Sequence, residues 1–345
     1  MRNLIPVIAA GLGILAAGAV AQPPTAGPYH VQKTVKTGGE GGFDYVYADS
    51  DGRRLYVARG GADPRVSVFS LDTLAADGSI PMTNARGAAV DSRYKHGFAS
   101  SSPVAMWDSQ SLATIKTIPV EGRPDGILAD SFNHRVYIFS HVAPNATVID
   151  AKDGSVLGTI DLGGAPEQAA SDGKGHIYVD IEDKGTVAVI DASTMKVTTT
   201  YSLNGKGGGN AGLALDAKNH VLFVACRDPQ VMVMLDSTDG HYLADLPIGR
   251  GCDGAVFNSK THECFSSQGD GTLTIIKETS PTTFTVEQTV QTMPGAKTLT
   301  LDTKTGRILL IAAEFGPAPA APASGERFRR PPMVPGSFSI VQVGK

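Results

Sequence analysis

No ready-made catalytic signature stands in this sequence. It has no nucleophile elbow, no zincin helix and no Cys-x-x-Cys-His run, which removes the simplest routes to a serine hydrolase, a zinc protease or a c-type haem protein. Gly205-Lys-Gly-Gly-Gly209 lacks the Lys-Ser/Thr ending and the strand-to-helix setting of a phosphate loop, so it reads as a glycine-rich crossing. Charge of one sign is also lacking. A formal net charge of −4 gives no electrostatic reason to expect nucleic acid or an anionic membrane as partner. Long helical patterns are few, whereas 40 glycines and 21 prolines suit an all-β chain with many turns.

Cysteine is scarce, and its number is odd: Cys226, Cys252 and Cys264. Residues 1–21 read as a signal peptide, with Arg2 as the positive start, Leu4 to Val20 as the apolar run and Ala19-Val20-Ala21 as the cleavage site. No cysteine follows that site to carry a lipid anchor. The mature chain is therefore expected to be periplasmic or secreted, without membrane insertion, and residues 22–28 to be a short linker. In an oxidising compartment one cysteine pair could bridge. Cys226 ends a second strand and Cys252 sits on the next crossing, so Cys226–Cys252 is the candidate pair if a disulfide forms; three reduced, buried thiols are the alternative.

What is present is a seven-fold repeat. An apolar run ends at Asp49, Asp91, Asp130, Asp172, Asp216, Asn258 and Asp302, at intervals of 42, 39, 42, 44, 42 and 44 residues. Periods of about 40–45 residues match one four-stranded propeller blade. Blade three shows the pattern, with Gly126 to Asp130, Arg135 to Phe139 and Ala146 to Asp150 as strands and Asp153-Gly154 as a hairpin turn. The last repeat supplies three strands before the chain stops, and the segment Tyr29 to Lys36 has strand character. We therefore predict an all-β, seven-bladed β-propeller of four-stranded blades over residues 29–345, monomeric, with the N-terminal strand completing the last blade.

Arg54-Leu-Tyr-Val57, Arg135-Val-Tyr-Ile138, His176-Ile-Tyr-Val179 and His220-Val-Leu-Phe223, each followed by a third strand, resemble the repeats of YVTN-type (YncE-like) β-propeller proteins. The resemblance covers about residues 29 to 345. It implies the propeller but no single activity, since relatives span unrelated roles.

Two register positions should face the channel at one end of such a ring. Five residues before each anchor stand Asp44, Arg86, Asp125, Glu167, Ala211, Asp253 and Lys297; closing each second strand stand Arg59, Ser101, His141, Glu182, Arg227, Gln268 and Glu314. Structural positions in a repeat converge on one residue type, and these do not. Asp44, Arg59, Arg86, Asp125, His141, Glu167, Glu182, Arg227 and Asp253 are accordingly the expected ligand-binding residues, against the alternative of inter-blade ion pairs. His141 and Glu182 are the candidates for acid–base chemistry. No cofactor is expected, although Asp125, His141, Glu167 and Glu182 would suit a divalent metal.

His134, His176, His220 and His262 each fall four residues after an anchor, in four different blades, and read as turn residues rather than ligands of one shared ion. The Pro-rich insertion at 317–335 reads as a lid, a docking arm or an irregular loop. The reading favoured by these residues is a non-catalytic scaffold for a small polar ligand or a protein. The alternative is a periplasmic lyase or lactone hydrolase.

Overall fold

Arg135–Ser140 reads Arg-Val-Tyr-Ile-Phe-Ser, and it is buried along almost its whole length because it lies between two other sheets. Apolar side chains on both faces of a strand need a partner sheet on each side, and a ring of blades supplies one. The computed structural model describes residues 23–61, 63–82, 84–317 and 331–345, and these form seven antiparallel four-stranded sheets. Blade one spans Gly42–Asp49 to Ala76–Pro81, and blade six spans Cys252–Asn258 to Thr283–Gln291. Blade seven is Leu299–Asp302, Arg307–Ala312 and Ser339–Gly344, with His30–Lys36 as its outer strand. That strand runs antiparallel to the C-terminal one, pairing His30 with Gly344 and Lys36 with Ser339. The predicted closure of the ring is thus the one observed. The predicted signal peptide lies outside the described residues, as do residues 318–330 of the insertion.

Period-two alternation divides each blade between two cores. In Val221–Cys226, Val221, Phe223 and Ala225 pack towards blade six, while Leu222, Val224 and Cys226 pack towards blade four. Against the candidate disulfide, this parity favours the alternative of three reduced thiols. Cys252 and Cys264 belong to the core between blades five and six, Cys226 to the core on the other face of blade five, and all three are free, buried thiols. Burial pushes the Cys252 thiol up to about 12 and raises Cys226 further still.

The anchor acids explain the repeat. Asp91 Oδ1 accepts from the backbone amides of Arg93 and Tyr94, and Asp216 Oδ1 from those of Lys218 and Asn219, so each closes its own turn. The residue four places on adopts positive φ in Arg53, Lys95, His134, His220, His262 and Gly306. From there a side chain reaches the anchor of the preceding blade. His134 Nδ1 lies 2.8 Å from Asp91 Oδ2, and Arg53 takes both oxygens of Asp302 at 2.8 and 2.9 Å. His176 departs from this register. The blade-four turn is one residue shorter, Gly175 takes the positive φ, and His176 pairs with Asp191 as Arg135 does with Asp150.

Candidate functional site

The inner strands carry a register shift at their starts, between Phe43 and Val46, Pro124 and Ile127, Pro166 and Ala169, and Cys252 and Gly254. A bulge leaves a residue out of the ladder and re-aims its side chain. Asp44, Asp125, Glu167 and Asp253 occupy these bulges, so the polar ring sits where the sheets release the backbone. Arg86 and Lys297 arrive from the crossings just before the inner strands of blades two and seven.

At the centre His141, just past the second strand of blade three, stands between carboxylates of two blades. Its Nε2 lies 3.5 Å from Asp125 Oδ2 and 3.4 Å from Glu167 Oε1, and this atom is buried without a hydrogen bond among the described residues. Donor atoms of these three residues all fall within 4.8 Å of one another. Tyr45, from blade one, donates its hydroxyl hydrogen to Glu167 Oε2 at 2.8 Å. Around this centre the remaining acids are matched by cations. Arg86 binds Asp44 at 2.9 Å, Arg227 bridges Glu182 and Asp253, and Lys297 also binds Asp253. Among the described residues, Asp125 and Glu167 bind no lysine or arginine, and the ionisable imidazole stands between them.

The protonation states follow from this distribution. Burial, with repulsion from Asp44 and Glu167, raises Asp125 to about 6. Glu167 at close range raises His141 despite burial. Burial also opposes the Glu167 charge, but His141 and Tyr45 outweigh it and hold this carboxyl below its ordinary range. Burial, then Glu167 and Asp125, push the Tyr45 hydroxyl far up, so it remains a donor. Glu182 is raised by burial and by Glu167, with Arg227 opposing.

Of the nine expected ligand-binding residues, eight line this end of the channel. Arg59 is the correction. It is 1% exposed, its guanidinium lies 3.9 Å over the Phe338 ring, and it donates to the carbonyls of Gly42 and Glu40. It belongs to the seam between blades one and seven because the second strand still alternates at that residue. Burial, with Arg65 adding, lowers it to about 10.

Two functional positions escaped the sequence reading. Tyr45 is one; it follows Asp44 within the bulge. Gln168, beside Glu167, is the other. Its Oε1 accepts from the amides of Leu213 and Ala255 at 3.0 and 2.9 Å, and its Nε2 donates to the Ala255 carbonyl at 2.9 Å. This amide ties three blades together across the channel. It borders both a cavity of about 210 Å³ below Tyr45 and Glu167 and a wider one of about 480 Å³ opening beside Asp49 and Thr303.

No protein-family model matches the chain, and no curated protein matches it. Solved structures do. One chain of "Crystal Structure of Mitotic Checkpoint Complex" superposes with TM-score 0.70 at 12% identity, covering 89% of this chain and 95% of that one. "Structure of U3-55K" gives 0.69 at 13%, with 92% and 99% covered, and "Crystal structure of RRP9 WD40 repeats" gives 0.68 at 12%, with 94% and 99%. The likeness is one of fold. It places the chain among seven-bladed propellers and leaves its function to be argued from the site.

Proposed function

We propose that this is an exported, YVTN-type binding propeller whose channel mouth takes a divalent cation, or a small polar ligand through its cationic group, between Asp125, His141 and Glu167. The observation that carries this reading is the meeting of two carboxylates and a buried imidazole nitrogen at 3.4–3.5 Å, with no hydrogen bond to that nitrogen and no lysine or arginine paired with the carboxylates among the described residues. Oxygen and imidazole donors in this number suit Zn²⁺, Mn²⁺ or Fe²⁺. Arg86 and Arg227 stand at the rim and would receive the anionic part of a zwitterion. Propellers of this shape also serve inside assemblies, as the chain from the mitotic checkpoint complex does, which supports a scaffold role in general terms.

Native mass spectrometry of metal-free protein titrated with Zn²⁺ tests the reading. One equivalent should disappear in both His141→Ala and Asp125→Asn. Retention of every equivalent by the folded variants would sink it. A second reading, an acid–base enzyme, is favoured by His141 and Tyr45 meeting the two oxygens of one carboxylate, Glu167, with His141 raised and Tyr45 held protonated. That reading requires a turnover that vanishes in His141→Ala while ligand capture persists.

A further inference from the structure

On the face opposite the channel mouth, the third strand of blades one to six meets the turn of its own blade. The backbone amide that donates to the turn carbonyl belongs to Leu71, Ser109, Ala151, Ala192 and Ser237 in blades one to five. These are small or apolar, as a buried seam requires. In blade six the same amide, donating to the His262 carbonyl at 2.9 Å, belongs to Glu278. A carboxylate 3% exposed has entered a position that blade three fills with Ala151.

Glu278 meets two other donors there. Asp216, the anchor of blade five, is 2% exposed, and His262 Nδ1 lies 3.7 Å from its Oδ2. Donor atoms of Asp216, His262 and Glu278 fall within 4.8 Å of one another. Each carboxylate has one oxygen engaged and one unpaired. Asp216 Oδ1 caps its turn and Glu278 Oε1 accepts from Asn219 Nδ2 at 2.7 Å, whereas Asp216 Oδ2 and Glu278 Oε2 are buried without a hydrogen-bond partner among the described residues. Two carboxylates this deep repel each other unless a proton or a cation lies between them.

The molecule contains its own control. Between blades two and three the Asp91–His134 pair closes to 2.8 Å with Ala151 at the third position. Between blades five and six the same pair stands open at 3.7 Å, and the third position supplies another ligand. We infer that Asp216, His262 and Glu278 form a second binding site, for a divalent transition-metal cation, in the seam between blades five and six. Imidazole and carboxylate ligands bind zinc at about 2.0–2.2 Å, so donor atoms that already lie within 4.8 Å of one another need only draw together around the ion. Asn219 and the turn amides hold the two carboxylates in place from behind, as outer partners of metal ligands do. The His262 side chain is 38% exposed, which gives the ion a route in and leaves room for water as a fourth ligand.

The test uses the full chain carrying Asp125→Asn, so that failure at the channel mouth does not affect the result. Zn²⁺ titrated into this metal-free protein should bind one equivalent, and Glu278→Ala, which installs the residue of blade three, should weaken that binding at least tenfold while the melting curve stays cooperative. Glu278→Gln provides a second variant of nearly unchanged volume. In the chain with Glu278 intact, Zn²⁺ should also protect His262 from diethylpyrocarbonate, read by peptide mass spectrometry, without protecting His134. No bound Zn²⁺, an unprotected His262, or unchanged affinity in a folded Glu278 variant would overturn the proposal and leave a proton shared between the two carboxyls.

Discussion

Replacing Asp125 with asparagine should stabilise the metal-free protein, and only at neutral to alkaline pH. Asp125 is raised from 3.8 to about 6 by burial and by Asp44 and Glu167. Between those two values the native state keeps a proton that the unfolded chain has lost, so stability falls as pH rises through the window. Above it the penalty is complete. A rise of about two pH units corresponds to roughly 3 kcal/mol at about 1.4 kcal/mol each, and partial exposure of the side chain brings this nearer 2. For a ring of about 300 residues the entropy of melting is roughly 0.6 kcal/mol per kelvin, so Tm should rise by about 3–5 °C. Thermal melts in chelator at pH 8 and pH 4 read this directly. A clear gain at pH 8 that vanishes at pH 4 is expected. A loss at pH 8, or a gain of equal size at both, would refute the account of the site as a centre of uncompensated negative charge. The same variant should no longer hold a cation there, so this position exchanges stability for binding.

Four further outcomes are expected. Cation affinity at the channel mouth should fall about tenfold or more from pH 7.5 to pH 5, because the ion must displace protons from Asp125 and from a raised His141; calorimetry across pH reads this. Arg53→Ala leaves Asp302, 1% exposed, without its bidentate partner and should cost about 3 kcal/mol in denaturant melts. Burial works against the Asp302 charge, but Arg53 and Thr305 hold it at about 2, so that stability is full above pH 4 and is lost only as pH drops towards 2. Gly97→Ala would set a Cβ 2.1 Å from the Trp107 ring and should destabilise by about 1–3 kcal/mol, measured the same way. Reductant should leave Tm unchanged, and thiol labelling should reach three groups only after unfolding, since Cys226, Cys252 and Cys264 are free and buried.

The number of blades and their closure could be read from the sequence because an anchor acid must recur wherever a turn needs its two amides capped. The polar ring could be read because Asp44, Asp125, Glu167 and Asp253 share one offset from that anchor. The geometric cause, a bulge at each of those residues, leaves no mark on composition. Arg59 was misplaced because an offset gives distance along a strand but not parity across it, and the same ambiguity misdirected Cys226. Tyr45 and Gln168 act across the channel, on blades far away in sequence, so no local pattern announces them. Glu278 became visible only when hydrogen bonds aligned it with Leu71, Ser109 and Ala151; the longer third strand of blade six hides that equivalence in the sequence.

Because Gln168 joins blade four to blades five and six, a single side-chain amide carries three hydrogen bonds among the inner strands of three neighbouring blades. The same strands hold the bulges that aim Glu167 and Asp253. Gln168→Ala would release two backbone amides and one carbonyl at once, so its effect should spread to the spacing of those blades and to the aim of both carboxylates rather than stay at one contact.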